Sequence, residues 1–76
     1  MGVTLQKKGE LDAAIDSYKQ ALKIKSDYAD AYYNMGGALK EKGDLDAAIN
    51  SYKQAIKAKS DYAEANSNLG NALRDK

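Results

Sequence analysis

The sequence predicts an all-α protein, a short stack of repeated helical hairpins, and three observations lead there. The first is composition. Pro, Cys, Trp, Phe and His are absent, while Ala, Lys, Leu, Ile, Gln and Glu are plentiful, which favours helix and leaves little material for strands. The second is a period of 34 residues: GELDAAIDSYKQALKIKSDYADAYYNM, from Gly9, recurs from Gly43 as GDLDAAINSYKQAIKAKSDYAEANSNL, with 19 of 27 positions identical. A fixed period of roughly 20 to 50 residues marks a stacked-repeat architecture. The third is spacing. Leu45, Ala48, Ile49, Tyr52, Ala55 and Ile56 share one helical face, and Leu11, Ala14, Ile15, Tyr18, Ala21 and Leu22 repeat that stripe.

Along the chain the pattern predicts helices over residues 2–8, 11–25, 28–42, 45–59 and 62–75. The first aligns with later copies through Gly2, Gly36 and Gly70 and through Leu5, Leu39 and Leu73, and a break at Gly9 and Glu10 separates it from the second. The third carries the stripe Ala31, Tyr32, Met35, Ala38 and Leu39 and stops at Gly43, a residue suited to the left-handed conformation that ends a helix. Asp44 then caps the fourth. Asp27-Tyr28-Ala29-Asp30 and Asp61-Tyr62-Ala63-Glu64 read as capping boxes that start the third and fifth helices. Gly36 and Ala48 are small so that two helix backbones can approach closely.

These residues resemble the tetratricopeptide repeat (TPR) family, whose 34-residue unit pairs a helix A with a helix B. In the copy from Ala29 to Tyr62 the family's signature aromatic stands as Tyr32, its Leu-Gly pair as Met35-Gly36, its next large residue as Leu39, and its small-aromatic-small series as Ala48, Tyr52 and Ala55. The resemblance covers the whole chain. It implies a single domain of antiparallel helix-turn-helix repeats stacked as a short right-handed superhelix: an N-terminally incomplete repeat over 1–28, a complete one over 29–62 and a lone helix A over 63–76. One departure is the family's proline before each new helix A, replaced here by Ser26 and Ser60. Serine tolerates the turn but does not enforce it, so the turns are expected to hold in a compact monomer. Where copies exchange helices in a domain swap, these two positions are expected to act as hinges across which helix B straightens into the next helix A.

Charge and composition narrow the function. Twelve basic and eleven acidic side chains give a net charge of +1, which supplies no field for capturing nucleic acid or an anionic membrane. An RNA-reading helical repeat is the remote alternative, and steep salt dependence would be its mark. Without cysteine there is neither a disulfide nor a thiolate metal site, which suits a reducing compartment, and no apolar run or leader-like segment is present. The expectation is a cytoplasmic protein without membrane attachment.

Candidate chemistry is sparse. Nucleophilic catalysis requires a nucleophile beside a base, and without His or Cys the serines Ser17 and Ser51 flank the tyrosine stripe as solvated or backbone-bonded hydroxyls. Asp12 with Asp16, or Asp44 with Asp46, fit capping and surface charge better than metal ligation. Gly36-Gly37 lies inside a helical stripe with no following Lys-Ser/Thr, so it is no phosphate loop. No catalytic, metal or cofactor residue is expected, and the protein reads as a non-enzymatic interaction scaffold.

In the family the A helices line a concave groove. The resemblance places Tyr33, Asn34, Gly37, Lys40 and Glu41 there from the middle repeat and Ser67, Asn68, Asn71 and Arg74 from the last. Asn34 and Asn68 stand one repeat apart and can either offer a ladder of amides to a peptide backbone or remain simply solvated. The family's clamp for chaperone C-termini is not matched, because Val3, Glu64 and Asn68 occupy positions where it needs Asn, Lys and Arg. The rival reading is a self-assembling or engineered repeat unit whose main partner is itself. About three repeats or a polar cap are normally needed to bury a solenoid's end faces. Leu11, Ile15, Tyr18 and Leu22 at one end and Leu69 and Leu73 at the other are therefore expected to mediate a homo-oligomer, most simply a dimer.

Overall fold

A computed structural model describes the backbone of residues 2–76 and the side chains of residues 9–76. Four helices follow one another: α1 (Gly2–Ile24), α2 (Ala29–Lys42), α3 (Leu45–Ala58) and α4 (Ala63–Asp75). Each packs mainly on its neighbour in sequence, α1 on α2, α2 on α3 and α3 on α4. The Cα atoms span 39 × 32 × 16 Å, the thinnest dimension being about that of two layers of helix packed 8–10 Å apart.

The turn between α2 and α3 forms as its sequence predicts. Gly43 adopts φ +99°, and the amides of Gly43 and Asp44 bond back to the Leu39 carbonyl. The Asp44 carboxylate accepts the Ala47 amide at 3.2 Å. Left-handed backbone costs an L-residue with a Cβ about 1–2 kcal/mol, which glycine avoids.

The predicted break at Gly9 does not form. Residues 2–8 and 11–24 make one 23-residue helix. The local reason lies beside the glycine, where Glu10 replaces Asp44. A glutamate is too long to cap its own helix as aspartate does, so nothing compensates the amides that a break would orphan. Residues 2–8 also make only about two helical turns, against about four in α2, so a hairpin there has little surface to bury.

The capping boxes do not form either. α2 and α4 start one residue later than expected, with Tyr28 and Tyr62 at the cap positions and no side-chain cap bond at either. Asp30 is engaged elsewhere, its carboxylate accepting the Tyr62 hydroxyl at 2.7 Å. The turns at Ser26 and Ser60 are both present, so neither helix B continues into the next helix A.

Three clusters make the core. Ile15, Met35 and Ala38 join α1 to α2, with Leu11, Tyr18 and Leu22 packed half-buried around them. Ala48, Ile49, Tyr52 and Ala72 join α3 to α4, with Leu39 and Leu69 against them. Ala55, Tyr62 and Ala65 seal the turn after α3. The closest approach around Gly36 differs from the expected pairing with Ala48. A Cβ built on Gly36 meets three atoms of the Tyr52 ring at 2.7, 2.8 and 3.0 Å. The glycine is a seat for an aromatic ring, and the ring is 1% exposed.

Candidate functional site

A groove of about 680 Å³ runs along one face of the molecule. Its length comes from α2, which presents Tyr33, Asn34, Gly37, Lys40 and Glu41, positions falling on one face by helical spacing. Asn68 of α4 enters from one side and Leu11, Ala14 and Tyr18 of α1 from the other, while Tyr52 of α3 forms part of the floor. Gly37 opens that floor: a Cβ there would meet only the Tyr52 hydroxyl, at 3.8 Å.

A tyrosine stack sets the geometry. The Tyr33 ring lies 6.0 Å from that of Tyr52 and 5.1 Å from that of Tyr62, tilted by 50° and 37°. Tilted pairs at such separations are favourable because ring edges meet ring faces. Asn68 donates its amide N–H to the Tyr33 hydroxyl at 2.9 Å, tying α4 to α2 across the groove. Burial raises the Tyr52 phenol's pKa above its ordinary value, and the nearby Tyr33 adds to the effect. Tyr62, 7% exposed, is raised well above 10, first by burial, then by donating to Asp30, and further by the charges of Asp30 and Glu64 and by Tyr33.

That last shift has a consequence for stability. The folded state holds the Tyr62 proton more tightly than the unfolded chain, whose phenol keeps the ordinary value of 10. The associated stability is therefore complete below about pH 10 and is lost as pH rises above it. Urea midpoints measured at about pH 8 and about pH 11 should fall steeply between the two in the wild type. In Tyr62→Phe the midpoint at the lower pH should drop, because a hydrogen bond to a carboxylate is lost, and the alkaline slope should shrink to the part that Tyr52 supplies.

The predicted site residues divide. Tyr33, Asn34, Lys40 and Asn68 come together in the groove. Asn71 and Arg74 lie beyond its lining and pair with each other, Arg74 Nη2 donating to Asn71 Oδ1 at 2.6 Å. The two asparagines share the groove, but Asn68 has spent an amide proton on Tyr33, so the two differ in what they offer. Lys40 faces Asp75 at 3.8 Å, which partly balances its charge. Of the residues expected at the ends, Ile15 is buried, Leu11, Tyr18, Leu22 and Leu69 are half-buried, and Leu73 is 52% exposed. Ser26 borders a smaller recess with Tyr32, Gln54 and Lys57, and Ser60 is exposed.

Tyr18 and Tyr52 as groove residues were missed by sequence reasoning, which confined the groove to A helices. The signal available was the repeat itself, since Tyr18 and Tyr52 stand one repeat apart, and Tyr52 lies beside Gly36 and Gly37. Among the described residues no helix is long and apolar enough to cross a membrane, and no three His, Cys, Asp or Glu side chains gather as a metal site would require.

A family model described as TPR repeat matches residues 2–43 and again residues 36–76. No curated protein sequence matches the chain.

Proposed function

The chain belongs to the tetratricopeptide repeat family, whose repeats generally mediate protein–protein interaction, and on that premise we propose that it is a non-enzymatic scaffold holding an extended peptide in the groove along α2. The observation that carries this reading is the makeup of the groove: tyrosine rings alternate with the Asn34 amide over a floor thinned at Gly37. Aromatic rings supply contact area at low entropic cost, and an amide can both donate to and accept from a peptide backbone. The near-neutral lining, with Lys40 set against Asp75 and Glu41 alongside, favours hydrogen bonding and apolar contact over capture of a strongly charged ligand. Groove-lining A helices are the family's usual binding elements, and the residues named from the resemblance supply six of the lining positions, Tyr33, Asn34, Gly37, Lys40, Glu41 and Asn68.

Selection from a random peptide library, followed by calorimetry on the best binder, tests it. Gly37→Gln puts a good helix former on α2 in place of a poor one and fills the floor, so affinity should fall about tenfold or more with the fold intact. Asn34→Ala, at an exposed position, should weaken binding about fivefold. Peptides that bind Gly37→Gln as tightly as the wild type would remove the groove from consideration.

A further inference from the structure

We infer that copies of this chain associate head to tail, α4 of one copy packing on α1 of the next in the register that α2 and α3 use inside the chain. The repeat makes this testable position by position. At the internal junction Gly36 is buried under the Tyr52 ring, and Ala48, Ser51 and Tyr52 are 0%, 4% and 1% exposed. One repeat later Gly70 stands where Gly36 stands, exposed, with nothing within 4 Å of a Cβ built on it. One repeat earlier Ala14, Ser17 and Tyr18 stand where Ala48, Ser51 and Tyr52 stand, half-buried, exposed and half-buried. The ring seat on α4 is thus open, and the ring that fits it is Tyr18 of α1, which lines the groove, so a docked α4 takes the same wall as a bound peptide. Leu73, the counterpart of half-buried Leu39, borders the open seat at 52% exposure.

The second junction of the repeat agrees. Inside the chain Tyr62 is buried and donates to Asp30, with the Lys59 ammonium 4.9 Å from its ring. Tyr28 is its counterpart, 42% exposed, with Lys25 at 5.4 Å from the ring. Stacking a second copy brings Tyr28 of that copy to Glu64 of the first, the counterpart of Asp30. The same docking fills the Gly70 seat and gives the exposed phenol its carboxylate. Because the two faces are different patches, the contact is heterologous, and each added copy presents the same faces again.

Light scattering across concentrations from micromolar to millimolar reads the result. The weight-average mass of the wild type should rise past two copies without a plateau. Gly70→Ala places a methyl in the ring's seat, and by removing a helical glycine it should leave the melting temperature equal or higher while association weakens about tenfold or more. Glu64→Lys, at an exposed position, should weaken association with the fold unchanged. A wild type that stays monomeric at millimolar concentration overturns the inference, as does a mass that stops at two copies and ignores Gly70→Ala.

Discussion

Replacing Gly36 by alanine is expected to lower the melting temperature by roughly 10 °C, the largest single effect foreseen for a change of one methyl group. The methyl would sit 2.7 Å from the Tyr52 ring, closer than carbon atoms come. The ring cannot swing aside, being 1% exposed and held among Ala48, Ile49 and Ala72. Overpacking of this kind costs about 1–3 kcal/mol or more, while exchanging glycine for alanine in a helix returns about 1 kcal/mol. The overpacking wins because three ring atoms are struck at once. Gly70→Ala, the same exchange one repeat later, meets no atom and should have the opposite sign. Thermal melts followed by circular dichroism separate the two, and equal melting temperatures for both variants would refute the ring seat.

Gly43→Ala is expected to cost about 1–2 kcal/mol and to change which shapes the chain adopts. The cost arises because φ +99° brings a Cβ against the following carbonyl. The change of shape arises because an alternative is already displayed by α1, which passes through Gly9 as unbroken helix. With alanine at position 43 the turn is strained and the straight path is favoured, so α2 and α3 should tend towards a single rod. Opening that hairpin uncovers Tyr52 and Gly36 together, which keeps the closed form competitive. Gly9→Ala is the matched control, with nothing within 4 Å of its Cβ, and should stabilise. Circular dichroism melts give the energies and small-angle scattering gives the shape. A Gly43→Ala variant with wild-type stability would mean that the left-handed turn is not what closes the hairpin.

The repeat period and its apolar stripes made three of the four helices legible to within a residue or two, since both follow from spacing alone. The turn at Gly43 was legible for the same reason, its glycine and its capping Asp44 being adjacent. What the period concealed was a difference of one methylene. Copying the turn from Gly43 to Gly9 ignored that Glu10 cannot do what Asp44 does. The capping box ending at Asp30 failed for another reason: Asp30 is 32 residues from Tyr62, and no local pattern announces that the phenol will claim its carboxylate. Gly36 was recognised as a place of close approach, but spacing does not say which side chain arrives. In the groove, Tyr33, Asn34, Lys40 and Asn68 followed from the A-helix register, whereas Tyr18 and Tyr52 enter from B helices, Tyr52 where Gly37 leaves room above it.

The packing of each helix on its neighbour in sequence bears on how quickly the chain can find its fold. Among the described residues the main packing joins helices adjacent in sequence, and the bonds of Tyr62 to Asp30 and Asn68 to Tyr33 reach over only one further helix. The entropy of closing each loop is therefore modest and is met nearly one hairpin at a time. Such a chain has a low search cost and no obligatory order imposed by a far-off strand. The α2–α3 hairpin, with Gly43 and Asp44 presetting its turn, is the natural nucleus. α4 can then dock on α3 and α1 on α2 as separate events, each end able to fray and re-form while the middle holds.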